Sequence, residues 1–152
     1  MSTLYIMCGV PGCGKSTWCK NNVPEDAVYV SRDEVRFSML KPTDAYFSKE
    51  KEVFDEFVRR IKKGLDAGKT VYADATHLNR SSRSKLINAV GRGQYDFQAL
   101  VLIASLDTCL LRNSQRSGRA YVPEDSIESM YNNFTIPNKN EGFSAVWTME
   151  VD

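Results

Sequence analysis

The segment from Gly9 to Thr17 constrains this chain more than any other, because its letters, GVPGCGKST, match the phosphate-binding pattern G-x-x-x-x-G-K-[ST]. Glycines let a backbone wrap closely around an anion, so that successive N–H groups point at a phosphate beside a helix N-terminus. Lys15 is then placed to reach the β- and γ-phosphate oxygens, and the hydroxyl of Ser16 suits Mg²⁺. The segment predicts a nucleotide site that is formed by Gly9, Pro11, Gly12, Cys13, Gly14, Lys15, Ser16 and Thr17.

The residues on both sides of this segment agree with the motif. Residues 3–8 are largely apolar, with branched and aromatic side chains, which is typical of a buried parallel strand. A helix is predicted from Ser16 to about Asn22. A chance glycine-rich match in an ordinary loop is the alternative, and the strand before it and the helix after it argue against that alternative.

Length and composition indicate one domain. A chain of 152 residues that is 42% hydrophobic and 26% charged fits a single globular unit over residues 1–152. The longest apolar run, residues 99–104, is too short to span a bilayer, and the first residues do not resemble a secretion signal. We therefore expect a cytoplasmic protein that does not bind membranes. Its cysteines form no C-x-x-C pair, so we expect reduced thiols that hold no metal.

The net charge of +1 argues against a surface coated for nonspecific nucleic-acid binding, but the charges are unevenly distributed. Residues 75–95 contain bases and no acid, and residues 108–123 form a second acid-free stretch. Beyond Pro123 the sign reverses, with acids up to Asp152 against the single base Lys139. The middle of the chain is therefore basic and its tail acidic.

Strand and helix patterns alternate along the rest of the chain. Ser48 is the predicted N-cap of a long helix that ends near Ala67, with Gly68 at its C-cap. Asp107 is the predicted cap of a later helix. The alternation predicts an α/β domain with a mainly parallel, roughly five-stranded sheet. The predicted strands are 3–8, 27–31, 70–74, 97–105 and 143–151, and further helices are predicted over 81–90 and 123–134.

The long helix has a charged face opposite its apolar stripe. Arg59, Arg60, Lys62 and Lys63 lie on this face together with Glu52. Such a face can contact a polyanion, but a solvated surface is its commoner meaning. We therefore expect a solvated surface here.

Charged residues follow the second predicted strand, at the sheet edge where α/β proteins bind ligands. Asp33 is our candidate general base, because a carboxylate near a γ-phosphate can accept a hydroxyl proton as attack proceeds. Arg36, three residues on, suits either an acceptor phosphate or the orientation of Asp33. A local surface ion pair near a helix start is the alternative for both residues.

Two further groups complete the candidate chemistry. Asp74 ends the third strand, where it would hold a water on Mg²⁺ or fix Ser16, unless it only caps a turn. Arg112, Arg116 and Arg119 follow helical spacing and share one face if Gly118 does not end the helix. That face suits a lid over the nucleotide, with one guanidinium that neutralises charge during transfer. A solvated basic face is the alternative.

Several blocks of the chain, in order, resemble the 5′-kinase domain of phage-type polynucleotide kinases. They are residues 7–18, 30–36, 74–79 and 111–116, followed by Val122-Pro123 and Ser129-Met130-Tyr131. The R-D-x-x-R and R-N-S-x-R blocks are more specific than the phosphate loop. The resemblance implies a P-loop kinase fold with a small helical lid, which uses ATP and Mg²⁺ to phosphorylate the 5′-hydroxyl end of DNA or RNA.

The resemblance also implies roles for single residues. It implies that Lys15 binds phosphates, that Ser16 supports the metal and that Asp33 is the general base. It further implies that Arg36 binds the phosphate beside the acceptor 5′-hydroxyl and that Arg116 stabilises the transferring phosphoryl group. Arg112 and Arg116 are also expected to contact the nucleotide.

The chain departs from the phage pattern at two positions. The phage acid one place after Asp74 is Ala75 here, although relatives with the D-x-T-N pattern keep the acid at the position of Asp74. His77 stands where Asn is usual, and we expect it to make a polar contact or a turn. The D-x-D-G-T motif of the phage phosphatase domain does not occur, so we expect no 3′-phosphatase activity.

Two other functions fit a phosphate loop. A kinase for a small molecule, such as a sugar, a nucleoside or an antibiotic, suits the near-neutral charge. A nucleotide-binding switch is the other alternative, but guanine-binding switches carry N-K-x-D, and residues 138–140 read Asn-Lys-Asn with no Asp after them.

Overall fold

The computed structural model describes residues 1–151, so Asp152, one of the tail acids, lies outside the described residues. Strands and helices alternate as the sequence predicts. In chain order they are β1 Thr3–Cys8, α1 Lys15–Asn22, β2 Val28–Ser31, α2 Arg32–Met39, α3 Glu50–Asp66, β3 Val71–Asp74, α4 Arg80–Val90, β4 Asp96–Ile103, α5 Leu106–Ser114, α6 Glu124–Asn133 and β5 Ala145–Glu150. Two short 3₁₀ turns cover Gly118–Ala120 and Lys139–Glu141.

The strands form one five-stranded sheet in the order β2-β3-β1-β4-β5, and all neighbouring strands are parallel. This is the α/β fold of P-loop kinases, and it confirms the predicted sheet. Asp74 is in register with Met7 of β1 and with Ser31 of β2. The carboxyl ends of the three strands therefore bring the phosphate loop, Asp74 and the start of α2 to one edge of the sheet.

Helices cover both faces of the sheet and bury two apolar layers. Leu4 and Ile6 of β1 pack on the face that α3 and α4 cover, where Phe57 is also fully buried. Met7 packs on the opposite face, together with Ile127 of α6. Successive side chains of a strand point to opposite faces, so one central strand supplies both layers. Among residues 1–151, no helix is both long and apolar enough to cross a membrane.

Two helix starts differ from the predictions. Helix α2 was not predicted, and it begins because the Ser31 hydroxyl accepts a hydrogen bond from the Glu34 N–H at 3.2 Å. Helix α3 begins at Glu50 with Lys49 as its N-cap, so the prediction that Ser48 caps it was wrong. The Ser48 hydroxyl instead donates to the Ala45 carbonyl at 2.7 Å, in the turn before the helix.

The predicted arginine face is wrong as well. Helix α5 is capped by Ser105 rather than Asp107, and it ends at Ser114, before Arg116 and Arg119. A buried side chain causes this end: the Asn113 amide nitrogen donates to the Val122 carbonyl at 2.6 Å, and the Val122 N–H donates back at 2.9 Å. This pair of hydrogen bonds folds the chain back before another helical turn can form.

Candidate active site

The phosphate loop is held in conformations that only glycine adopts easily. Gly12 and Gly14 have φ angles of 86° and 100°, in the left-handed region. A Cβ at Gly12 would also lie 2.5 Å from the Cys109 carbonyl oxygen. Helix α1 starts directly after Gly14, with no side chain that caps its first N–H groups. The loop therefore presents free backbone donors at a helix N-terminus, which is the geometry that binds a phosphate.

Lys15 lies along the inside of this loop. Its side chain is buried, and Nζ donates to the carbonyls of Gly9 at 2.8 Å and Val10 at 3.2 Å. The Gly9 N–H in turn donates to the Thr76 carbonyl at 3.0 Å, which ties the loop to the segment after β3. The ammonium group is thus held within the loop, where it adds positive charge to the backbone donors.

Ser16 and Asp74 meet beside the loop, as one of the two sequence hypotheses for Asp74 requires. The Ser16 hydroxyl donates to Asp74 Oδ2 at 3.1 Å, and the Tyr29 hydroxyl donates to the same oxygen at 2.5 Å. Burial and the adjacent Asp74 raise the pKa of Tyr29, so Tyr29 keeps its proton and remains a donor. A hydroxyl and a carboxylate are hard oxygen donors, so this pair fits Mg²⁺, which takes few protein ligands.

Asp33 is exposed, but a buried cation holds it in place. The side chain of Arg36 is only 7% exposed, while that of Asp33 is 62% exposed. Arg36 forms an ion pair with Asp33, and it donates to both carboxylate oxygens of Glu50, from Nε at 2.6 Å and from Nη2 at 3.0 Å. The Tyr46 hydroxyl donates to Asp33 at 3.0 Å. The candidate base is therefore oriented by two neighbours.

The charges of this cluster stabilise one another. Burial opposes the charge of Arg36, but hydrogen bonds to Glu50, together with the electrostatic effects of Tyr46, Glu50 and Asp33, raise the pKa of the guanidinium. Burial likewise opposes the charge of Glu50, yet its hydrogen bonds and ion pairs with Arg36 and Arg32 together lower the pKa of the carboxyl. Each nitrogen of Arg36 already donates within the protein, so this geometry favours orientation of Asp33 among the hypotheses for Arg36.

One cavity joins these groups. It has a volume of about 630 Å³, and Ser16 and Tyr29 line it on one side while Asp33 and Phe37 line it on another. Arg116 lines the same cavity, together with Ala120 of the short 3₁₀ turn. The structure therefore brings the metal-binding candidate, the candidate base and one arginine of the predicted lid around one space.

The other two arginines of the predicted face, Arg112 and Arg119, do not line this cavity. Arg112 donates to the Cys13 carbonyl at 3.0 Å and to the Val151 carbonyl at 2.6 Å, so it joins the phosphate loop to the residue after β5. Arg119 donates to three carbonyls of the turn before α3, at 2.8 to 3.1 Å; they belong to Lys41, Pro42 and Asp44. The three arginines thus have three different environments in place of the one predicted face.

His77 points away from the cavity into the core. It is 4% exposed and has a φ angle of 43°, and its Nδ1 lies 2.6 Å from the Met7 carbonyl oxygen. Burial lowers the pKa of His77 to about 4, so the ring is neutral at neutral pH. The polar contact, one of the two roles expected from the sequence, is present.

Sequence reasoning missed several residues that support the site. Glu50 holds Arg36, and Tyr29 holds Asp74. A buried ion pair between Arg83 and Glu141 spans 58 residues, with Nε 2.8 Å from Oε1, and Arg83 also donates to the His77 carbonyl at 2.9 Å. No local pattern marks these partners, because each pair comes from separate elements.

Comparisons with known proteins agree with this geometry. The family model described as AAA domain matches residues 4–137. A protein of Autographa californica nuclear polyhedrosis virus, named as a bifunctional polynucleotide kinase/RNA ligase, is 25% identical over 94% of this chain. The chain spans only 22% of the length of that relative.

Solved structures show the same fold. A chain of the Pnkp1/Rnl/Hen1 RNA repair complex matches 87% of this chain with a TM-score of 0.75 and 20% identity, and 43% of its own length is covered. An unliganded sugar kinase from Janibacter sp. HTCC2649 matches 99% of this chain with a TM-score of 0.66 and 18% identity, and 85% of its length is covered. At these identities the likeness concerns the fold.

Proposed function

The chain belongs to the AAA domain family, and from that premise we propose that it transfers the γ-phosphoryl group of ATP to the 5′-hydroxyl end of DNA or RNA. The observation that carries this proposal is the shared cavity, in which Asp33 faces the space beside Ser16 and Arg116. Phosphoryl transfer needs an anion cradle, a base and positive charge over the moving group, and each need has a residue here. We place this activity in the cytoplasm.

The donor half of the proposed reaction uses the phosphate loop. Backbone N–H groups at the start of α1 bind the β-phosphate, and Lys15 neutralises charge on the β- and γ-oxygens. Ser16 and Asp74 would hold Mg²⁺. When bound, the ion would supply positive charge that offsets the negative charge of the phosphates during transfer.

The acceptor half uses the cluster around Asp33. The acceptor hydroxyl donates its proton to the Asp33 carboxylate as its oxygen attacks the γ-phosphorus. The bond from the γ-phosphorus to the β,γ-bridging oxygen breaks, and ADP leaves with the bonding electrons. Arg36 and Tyr46 keep Asp33 aimed at the hydroxyl, and Arg116 stabilises charge on the transferring group.

Relatives support a nucleic-acid acceptor, because the viral relative is named for polynucleotide kinase activity and one matching structure belongs to an RNA repair complex. A small hydroxyl compound is the second candidate acceptor. The observation that favours it is the sugar kinase, because this chain covers 85% of that protein's length and only 43% of the repair-complex chain.

Transfer of label from γ-labelled ATP tests the proposal. We expect label on 5′-hydroxyl oligonucleotides, and we expect Asp33→Asn to lower kcat by about 10²- to 10⁴-fold, because the base is lost while the side chain keeps its size. The KM for ATP should stay unchanged.

Glu34→Gln is the matched control, because Glu34 is the next residue, is also exposed and lines the same cavity. It should keep the wild-type kcat. Full activity of Asp33→Asn would show that the base is misassigned. If label were found only on sugars or nucleosides, the acceptor would be a small molecule and the nucleic-acid proposal would be wrong.

A further inference from the structure

A second cavity, of about 450 Å³, lies between strand β2 and helix α3. Strand β2 is an edge of the sheet, so this cavity runs along the outside of the molecule. Tyr29, Ser31 and Glu34 line both this cavity and the one that contains Asp33. The two cavities therefore adjoin, and a chain-like ligand can occupy both.

Positive charge dominates the second cavity, which we call the basic groove. Its cationic lining residues are Arg59, Arg60, Lys63 and Lys69. Arg59 and Arg60 share one acid, Glu56, with Nε to carboxylate distances of 2.6 and 2.7 Å. Lys63 and Lys69 are exposed and form no ion pair with any residue in the described range 1–151. The groove thus keeps a net positive charge.

Small residues line the groove where α3 packs on the sheet. Gly64 and Ala67 line it and contribute no long side chain. A Cβ at Gly64 would lie 2.7 Å from Val71 Cγ2 and 3.3 Å from Val28 Cγ2, so glycine is what lets α3 approach the sheet this closely. Lys63 and Lys69, which are exposed, border the groove beside these small residues.

We propose that the basic groove binds the phosphodiester backbone of the acceptor strand, downstream of the 5′ end that Asp33 activates. This inference rests on the proposed function and specifies its acceptor. Glu34 lies where the two cavities meet and repels phosphate, so the bound phosphates lie beyond it, beside Lys63 and Lys69. A sugar or nucleoside seated at Asp33 has no such phosphates and gains nothing from the groove.

The test compares acceptors of increasing length. Single-stranded 5′-hydroxyl oligonucleotides of two, four and eight nucleotides are phosphorylated at several salt concentrations, and binding of a 3′-fluorescent octamer without ATP is followed by anisotropy. The test variant is Lys63→Gln with Lys69→Gln. The control is Lys51→Gln with Lys62→Gln, which removes the same charge from positions outside both cavity linings.

We expect kcat/KM of the wild type to rise with acceptor length. The test variant should lose that rise and bind the octamer about tenfold more weakly, while it keeps activity on the dinucleotide. The slope of log affinity against log salt should fall by about 0.7 for each lysine removed, since each phosphate contact releases counterions. The control variant should keep the wild-type slope.

Two outcomes would overturn the inference, and they differ from a failure of the proposed function. Length-independent kcat/KM in the wild type, or equal losses in the test and control variants, would show that the groove does not bind the strand. Absence of transfer to every oligonucleotide would instead contradict the proposed function. The anisotropy measurement tests the groove even in that case, because it needs no catalysis.

Discussion

The donor and acceptor halves of the candidate site are built in different ways. The donor half is one continuous segment, in which the backbone conformation of Gly12 and Gly14 creates the binding groups. The acceptor half is a cluster of side chains from α2, from the following loop and from α3, in which Glu50 fixes Arg36 and Arg36 fixes Asp33. A backbone site tolerates few changes, whereas a cluster of side chains can change one member at a time. This difference is consistent with one fold that occurs in kinases with different acceptors.

Gly12→Ala should break the donor half, with the largest effect of the substitutions considered. Alanine resists the positive φ angle, and its Cβ would lie 2.5 Å from the Cys109 carbonyl, so backbone must shift. We expect the free energy of unfolding to fall by about 3 kcal/mol or more and ATP binding to be lost. Chemical denaturation and calorimetric titration with ATP measure the two effects.

Gly93→Ala separates the two causes of the loss expected for Gly12→Ala, which are the positive φ angle and the contact with the Cys109 carbonyl. Gly93 has a similar φ angle of 82°, but a Cβ there would meet nothing within 4 Å. Gly93→Ala should lower the free energy of unfolding by only about 1 to 2 kcal/mol, because alanine resists the backbone conformation there. ATP binding should stay intact. Equal losses in both variants would show that the contact with Cys109 does not matter.

Glu50→Gln should weaken the acceptor half and leave the donor half intact. It leaves the buried Arg36 without its main partner, so we expect a loss of about 2 kcal/mol, between the values for buried and exposed ion pairs. The kcat should fall about tenfold because Asp33 loses its fixed orientation, while ATP affinity stays unchanged. Glu56→Gln, whose arginine partners are more exposed, should change stability by less than about 1 kcal/mol.

The variant Glu50→Gln also allows a prediction for the pH dependence of the unfolding free energy. Because the folded-state pKa of Glu50 lies below its ordinary value of 4.5, the ion pair stabilises the protein fully above pH 4.5. That stability is lost as the pH falls through the lowered pKa. The difference in unfolding free energy between wild type and Glu50→Gln should therefore shrink below pH 4.5. A constant difference would show that the charge of Glu50 contributes nothing.

Arg119→Ala should have the smallest effect of these substitutions. It tests whether the short 3₁₀ turn beside the cavity contributes to the acceptor half. Arg119 ties the short 3₁₀ turn to the loop before α3, and Ala120 of that turn lines the cavity. We expect a stability loss of about 1 kcal/mol and a several-fold rise in the acceptor KM, with little change in the KM for ATP. Arg80→Ala, which removes a more exposed arginine bound to Asn140, should leave both KM values unchanged.

The sequence predicts the donor half well because its signals are local. The glycine spacing, the apolar strand before it and the alternation of strands and helices each lie within a short window, and the sheet follows from them. Asp74 was also identified from its place at a strand end. The hydrogen bond from Tyr29 to Asp74 was not, because it depends on the pairing of β2 with β3.

The acceptor half could be predicted only in part, because its partners are distant in the sequence. Asp33 and Arg36 are close together and were found, but Glu50 lies on the next helix. The prediction of one arginine face failed because buried Asn113 binds the Val122 backbone and ends α5 early. Helical spacing describes what a segment can form, and tertiary hydrogen bonds decide where it stops.

The central position of β1 has a consequence for the order of folding. Strand β1 precedes both of its neighbours in the chain, since β3 begins at Val71 and β4 at Asp96. During synthesis on the ribosome the phosphate loop therefore emerges before β3 and β4, and the strand that supports it has no partner until they have followed. Parallel sheets with such long-range pairing fold slowly. We expect nascent chains that stop before β4 to expose β1 and to depend on chaperones until the sheet closes around it.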